Sequence, residues 1–174
     1  ASGCCTVFKP SSTTSLSVLE LARLIQDVIP AGVFNVITGS GGKSGQYMLD
    51  HKGFRKLAFT GSTEVATLLQ RNIASRLDAQ GRPIPLIAET GGMNAMIVDS
   101  SALTEQVVVD VLASAFDSAG QRCSALRVLC LQDEIADHTL KMLRGAMAEC
   151  RMGNPGRLTT DIGPVIDAEA KENI

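Results

Sequence analysis

Residues 94–132, NAMIVDSSALTEQVVVDVLASAFDSAGQRCSALRVLCLQ, alternate a strand, a helix and a second strand. The apolar runs 94–99 and 126–132 predict strands, and the apolar residues of 104–117 recur at helical spacing. A Gly-Gln-Arg turn follows the helix, and Cys123 comes directly after this turn. A cysteine kept for packing is expected inside a strand or helix, whereas side chains at such junctions are often presented to a cleft. Cys123 is therefore a candidate functional residue.

The same alternation extends towards the first residues of the chain. The pattern predicts strands at 5–9, 34–38, 56–60 and 85–89, and helices at 15–28, 43–50, 62–77 and 134–150. Short connections between alternating strands and helices favour right-handed crossovers and a parallel sheet covered on both faces. The sequence thus predicts an α/β fold with a Rossmann-like parallel sheet. Sheets of this kind bind ligands beyond the carboxyl ends of their strands.

Composition excludes several classes of function. The 174 residues are 45% hydrophobic and 20% charged with a net charge of -2, which is typical of a globular protein. Without a basic cluster, and with 3% aromatic residues, nucleic-acid binding is not expected. Five cysteines form no CxxC pair and there are two histidines, so no metal site is expected. No apolar stretch has the roughly 20 residues of a membrane span, and we expect a cytoplasmic protein with reduced thiols.

Three loops that follow predicted strands are candidates for ligand binding. In TGSGGKSG (38–45), glycines would allow the backbone to approach a phosphate, although the spacing is not GxGxxG and a plain flexible turn explains it equally well. In FTGS (59–62), a simple helix N-cap is the alternative to a binding turn. Lys9 ends the first strand, either as a solvated surface lysine or as a group that reaches ligand hydroxyls. The candidate residues of these loops are Lys9, Gly39, Gly41, Gly45, Thr60, Gly61 and Ser62.

Glu89 and Cys123 are the candidates for chemistry. Glu89 follows four apolar residues, where an unpaired buried charge would be costly. It is either hydrogen-bonded to backbone or held in a cleft with a raised pKa, as a general base requires. Arg122 and the flexible Gly120 would permit a site that favours a thiolate at Cys123, although most cysteines are inert. The other four cysteines, Cys4, Cys5, Cys130 and Cys150, are interpreted as packing residues.

Five motifs in this order resemble the NAD(P)-dependent aldehyde dehydrogenase family. They are Lys9-Pro10, the Gly39 to Gly45 loop, Phe59-Thr60-Gly61-Ser62, Glu89-Thr90-Gly91-Gly92 and Gly120-Gln121-Arg122-Cys123. The resemblance continues through GNP (153–155) and IGPVI (162–166). It implies the aldehyde dehydrogenase fold, present as an incomplete fragment of a longer enzyme. Residues 1–89 would be part of a coenzyme-binding domain, and residues 90–174 the first part of an α/β catalytic domain.

The resemblance also implies roles for individual residues. Cys123 is similar to the family's nucleophile and Glu89 to its general base, and together they would oxidise a small-molecule aldehyde to a carboxylate. The amide of Cys123 would be one donor of an oxyanion hole. The cofactor would be NAD or NADP, at positions that include Lys9, Gly41, Thr60, Gly61, Ser62 and Thr90. Many members carry glutamate where this chain has Ser12, so we expect tolerance of both cofactors.

The two parts of the chain resemble different branches of the family. Residues 72–132 resemble the L-glutamate γ-semialdehyde dehydrogenase module of bifunctional proline-utilisation proteins, whereas residues 1–49 resemble a general aldehyde dehydrogenase of another branch. A hybrid gene is one explanation. If the proline-utilisation branch decides specificity, Ser124 would help to bind the substrate carboxylate. The family resemblance also implies that the full-length enzyme forms a homo-oligomer. The alternatives are a non-catalytic nucleotide-binding fragment of the same fold and a thiol-dependent acyltransferase.

Overall fold

The computed structural model describes residues 3–173, and their contacts divide the chain into two compact units. The first unit comprises the described residues up to Ala58 together with Leu68–Ile87. The second comprises Phe59–Thr67 and the described residues from Ala88 onward. The functional assignment of 1–89 and 90–174 to two domains stays a prediction.

The first five elements build the region around β1 and β2. They are β1 (Thr6–Phe8), α1 (Ser15–Ile25), β2 (Phe34–Val36), a π-helical turn (Gly41–Gly45) and α2 (Gln46–Asp50). β1 and β2 are parallel, with Thr6 opposite Phe34 and Phe8 opposite Val36. The rings of Phe8 and Phe34 stack with their centroids 6.2 Å apart. The carboxyl ends of both strands therefore lie at the same edge.

The division between the units passes through β3 (Leu57–Thr60), α3 (Thr63–Ile73) and β4 (Leu86–Glu89). β3 pairs with β4. The helix predicted at 62–77 ends at Ile73. A polar turn follows it, in which Asp78 Oδ1 accepts hydrogen bonds from the amides of Gln80 and Arg82. A carboxylate that binds nearby amides in this way favours a turn over a continued helix.

The second unit is built on β5 (Asn94–Val98), α4 (Thr104–Phe116), β6 (Leu126–Leu131), α5 (Asp133–Glu149) and α6 (Ala168–Asn173). β5 and β6 are parallel, and α4 is the crossover between them. Val98, Val107, Val111 and Leu126 form the buried core, against which partly buried residues of β6 and α5 pack. The predicted strand, helix and strand of residues 94–132 are confirmed with these bounds.

The parallel pairing is confirmed, but its extent differs from the prediction. The described strands form three two-stranded sheets, β1–β2, β3–β4 and β5–β6. One face of β5–β6 is also exposed, at Ala95, Ile97, Val128 and Cys130, because α4 and α5 pack on the alternate residues of the two strands. Full coverage of both faces is therefore not found in the described residues.

Three of the four cysteines interpreted as packing residues are exposed, so that interpretation is wrong for them. Cys4 and Cys5 precede β1 and are exposed. Cys130 points to the face of β6 that no described helix covers, because its neighbours Leu129 and Leu131 face the core. Cys150 is half-buried, and its thiol donates to the carbonyl of Ala146 over 3.4 Å.

Helices long and apolar enough to cross a membrane are not found among the described residues.

Replacing Val111 by alanine tests the core of the second unit. Val111 is 4% exposed and Val109, on the same helix, is 59% exposed. We expect Val111→Ala to lower the free energy of unfolding by about 2 kcal/mol, because buried methyl groups are lost and a cavity remains. Val109→Ala is the matched control and should change it by less than about 0.5 kcal/mol. Urea unfolding followed by circular dichroism measures both, and equal losses would contradict the assignment of this core.

Candidate active site

A left-handed turn lies between α4 and the candidate nucleophile. Asp117–Gly120 form a 3₁₀ turn in which Ser118, Ala119 and Gly120 have φ values of 56°, 53° and 69°. Such angles cost about 1–3 kcal/mol at a non-glycine residue, so the surroundings must hold them. At Gly120 a Cβ atom would lie 2.9 Å from the carbonyl oxygen of Ala115, so glycine is required there. The turn separates Cys123 from the end of α4, and the Cys123 side chain is exposed.

Three side chains hold the loop that carries Cys123. Asn94 Nδ2 donates to the carbonyl oxygens of Cys123 (2.7 Å) and Ala125 (3.0 Å). Arg127 Nη2 donates to the carbonyl of Gly120 over 2.6 Å. Gln121 Oε1 accepts from the amide of Ile166 over 2.9 Å, which ties the loop to the IGPVI segment. The loop is therefore fixed on both sides of Cys123.

Sequence reasoning missed Asn94 and Arg127. The available signal was a polar residue at the first position of an apolar strand, and an arginine inside the next one. Neither forms a motif with Cys123, because their contacts join residues 29, 31 and 7 positions apart. Pattern reading within one element does not reveal such pairs.

The side chain of Arg122 was expected to favour a thiolate at Cys123, but its hydrogen bond and ion pair are made with Ala113 and Asp117. Its guanidinium donates to the carbonyl of Ala113 over 2.9 Å and lies 3.7 Å from the carboxylate of Asp117. The charge of Arg122 is therefore directed to the end of α4. Gly120 allows the left-handed conformation of the turn before Cys123. Ser124, the residue after Cys123, is exposed.

Glu89 is the last residue of β4, in the same compact unit as Cys123. Its side chain is exposed, and both interpretations, a carboxylate bonded to backbone and a general base in a cleft, stay predictions. The carbonyl of Glu89 accepts from the amide of Gly61 over 3.1 Å, which places the FTGS turn next to it. Asn94 lies five positions after Glu89, a span of at most about 18 Å. That Glu89 and Cys123 face each other stays a prediction.

The N-cap interpretation of Ser62 is confirmed. Its Oγ accepts from the amide of Val65 over 3.3 Å, at the first turn of α3. The pKa of Glu64 is lowered, first by a hydrogen bond from its own amide and then by one from the Ser62 hydroxyl. At Gly61 a Cβ would lie 2.5 Å from Cζ of Phe59, so a side chain at this position would require the Phe59 ring to move. Thr60 is exposed and Thr90 half-buried; the dinucleotide-binding roles of these residues stay predictions.

In the first unit the structure brings Lys9 and the glycine loop together. Lys9 Nζ donates to the carbonyl of Pro10 over 2.6 Å and lies 3.5 Å from that of Gly39. Around Gly41 and Gly45 a Cβ would find no atom within 4 Å, so a ligand could approach the backbone there. An ammonium beside an open glycine loop fits a phosphate-bearing dinucleotide. Ser12 is exposed, three residues beyond Lys9.

Comparison with known proteins gives the family. The sequence matches the aldehyde dehydrogenase family over residues 1–174, and the chain belongs to this family. It is 74% identical over 175 residues to the bifunctional protein PutA of Escherichia coli, covering 100% of this chain and 13% of that protein. It is 33% identical over 174 residues to a 1-pyrroline-5-carboxylate dehydrogenase of Bacillus cereus, covering 99% and 34%.

Solved structures give the same fold. A proline utilization A structure from Bradyrhizobium japonicum matches with a TM-score of 0.87 and 44% identity, over 97% of this chain and 17% of that one. A betaine aldehyde dehydrogenase from Staphylococcus aureus, solved with NAD⁺, matches with a TM-score of 0.86 and 32% identity, over 96% and 33%. The α/β prediction and the aldehyde dehydrogenase fold are thus confirmed. These relatives each align with both parts of the chain, and the different origin of residues 1–49 stays a prediction.

Replacements of Ser62 separate its capping role from a role in binding. We expect Ser62→Ala to lower the free energy of unfolding by about 1 kcal/mol, because the amide of Val65 loses its acceptor. The pKa of Glu64 should rise in this variant, since one of its two hydrogen bonds is lost. Chemical denaturation and NMR titration measure these changes.

Ser62→Asp is the matched control, since aspartate also caps a helix and its charge suits the first turn. It should retain the wild-type stability. Equal destabilisation by both replacements would contradict the capping role. A weaker dinucleotide affinity in Ser62→Asp at unchanged stability would indicate that the turn faces the phosphates.

Proposed function

We propose that this chain carries the nucleophile and the general base of an NAD(P)-dependent aldehyde dehydrogenase. The observation that carries the proposal is the placement of Cys123. It is exposed in a loop whose backbone is held by Asn94 and Arg127, in the same compact unit as Glu89. Family membership supports the same roles. The chain spans 13% of its PutA relatives and 34% of its 1-pyrroline-5-carboxylate dehydrogenase relatives, so the activity belongs to a longer protein.

In the proposed reaction the Cys123 thiolate attacks the aldehyde carbon and forms a C–S bond. The carbonyl π electrons move to oxygen, and the amide of Cys123 donates a hydrogen bond to the resulting oxyanion. A bound NAD(P) would supply the hydride acceptor for this carbon, and loss of the hydride would leave the acyl group on Sγ as a thioester. Glu89 then takes a proton from water as the water oxygen attacks the thioester carbon. The C–S bond breaks, and the carboxylate product and the thiolate are released.

The dinucleotide would be held by backbone and short polar side chains. Lys9, the glycine loop 39–45, Thr60 to Ser62 and Thr90 are the proposed contributors. In this proposal residues 1–89 are part of the coenzyme-binding domain and residues 90–174 the first part of the catalytic domain. The open backbone around Gly41 and Gly45 supports the assignment, because close approach to phosphate requires it.

The proposed substrate is L-glutamate γ-semialdehyde, which would be oxidised to L-glutamate in proline catabolism. The names of the relatives, PutA and 1-pyrroline-5-carboxylate dehydrogenase, support this choice. Ser124 is exposed beside Cys123, where its hydroxyl could donate to the substrate carboxylate. We further propose that the longer enzyme is cytoplasmic and assembles as a homo-oligomer.

Replacing Cys123 and Glu89 in the full-length enzyme tests the chemistry. Cys123→Ser should abolish aldehyde oxidation, because a serine hydroxyl is not ionised at neutral pH. Glu89→Gln should slow steady-state turnover by about 10²- to 10⁴-fold, yet still give one rapid equivalent of reduced cofactor. A thioester should then be detected on Cys123 by mass spectrometry.

Cys130→Ser is the control, because Cys130 is an exposed thiol of the same unit. It should retain full activity. Transfer of the acyl group to an added thiol in preference to water would support an acyltransferase instead. Dinucleotide binding without any aldehyde oxidation by the wild-type enzyme would favour the non-catalytic alternative.

Ser12→Glu tests the cofactor preference. A carboxylate at this position would repel the 2′-phosphate of NADP and could accept a hydrogen bond from the ribose of NAD. We expect the ratio of the NADP to the NAD dissociation constant to rise about tenfold, measured by fluorescence titration of the full-length enzyme. Ser12→Gln is of similar size without the charge and should raise this ratio much less. An unchanged ratio in Ser12→Glu would show that Ser12 does not approach the ribose.

A further inference from the structure

We propose that Asn94 is a positioning residue that sets the backbone of the Cys123 loop, an inference that rests on the proposed function. Its Nδ2 donates to two carbonyl oxygens, those of Cys123 at 2.7 Å and Ala125 at 3.0 Å. A side-chain amide has two N–H donors, so this pair of bonds uses both. One of them is made to the nucleophile's own peptide group.

The strand pairing explains why a side chain is needed at this point. Asn94 lies opposite Leu126 and Ala95 opposite Val128, so the register shifts and Arg127 is an extra residue in β6. A bulge of this kind interrupts the regular backbone bonds and redirects side chains. The Asn94 amide supplies hydrogen bonds to the loop just before the bulge. The extra residue, Arg127, supplies the bond to Gly120 on the other side of Cys123.

These bonds act on the geometry of the thiol through the backbone. Fixing the Cys123 carbonyl fixes ψ of Cys123, and fixing Gly120 limits the movement of the turn before it. Both the direction of Sγ and that of the Cys123 amide depend on these torsions. The side chain of Cys123 is exposed, so packing alone does not fix them. Asn94 and Arg127 thus fix the backbone on both sides of Cys123 by hydrogen bonds.

Asn94→Asp in the full-length enzyme tests the proposal. Aspartate has the same shape, but it replaces two donors by an oxygen that faces two carbonyl oxygens. We expect kcat for aldehyde oxidation to fall about 10- to 100-fold while KM for the dinucleotide is unchanged, because misplaced reacting groups slow chemistry. Amide hydrogen exchange of residues 118–125 should become faster, with exchange in α5 unchanged. Asn94→Ala, which adds no charge, should change both quantities in the same direction.

Asn35→Asp is the matched control. Asn35 Nδ2 also donates to two carbonyl oxygens, those of Thr6 (3.2 Å) and Gly32 (2.8 Å), but in the first unit. It should leave kcat and the exchange of residues 118–125 at wild-type values.

Two outcomes would overturn the proposal. One is wild-type kcat and exchange in both Asn94 variants. The other is exchange that rises as much in α5 as in residues 118–125, since Asn94 would then support the unit as a whole. The exchange measurement needs no catalysis. If the wild-type enzyme oxidises no aldehyde, the proposed function fails, and the exchange contrast still reports on the Asn94 bonds.

Discussion

The packing of α4 against the parallel pair β5–β6 is the interaction on which the second unit depends. Val107 and Val111 of the helix meet Val98 and Leu126 of the strands in one buried cluster. Because the two strands are parallel, the chain must cross over the sheet and return, and the return segment is the loop that carries Cys123. The left-handed turn at Ser118 to Gly120 makes this return short. The exposed thiol is thus a consequence of how the core closes.

Parallel pairing also brings together chemistry from separate parts of the sequence. In the first unit β1 and β2 end at one edge, where the Lys9 ammonium meets the Gly39 carbonyl. In the second, the amide of Gly61 after β3 bonds the carbonyl of Glu89 at the end of β4. In both cases backbone groups fix the position, and the side chains of Lys9 and Glu89 are carried to the carboxyl edge, where parallel sheets bind ligands.

Prediction from sequence succeeded where a signal is local. The elements of residues 94–132 and the N-cap at Ser62 depend on spacing and on residues within one turn of each other. It was wrong for Cys130, whose exposure depends on which face of the strand the helices cover. The register of β6 against β5 is a further feature without a local signal, since the bulge at Arg127 shifts it and no glycine or proline marks that position.

The sequence by itself determined membership of the aldehyde dehydrogenase family. The five motifs are defined by residue type and order, and neither depends on tertiary contacts. The tertiary structure alone decided which groups hold the loop that carries Cys123. Asn94 and Cys123 are 29 residues apart, and their hydrogen bond exists because β5 and β6 are neighbours in one sheet. A linear pattern records side-chain type and local periodicity, whereas such a bond depends on the register of two strands, which only the folded chain establishes.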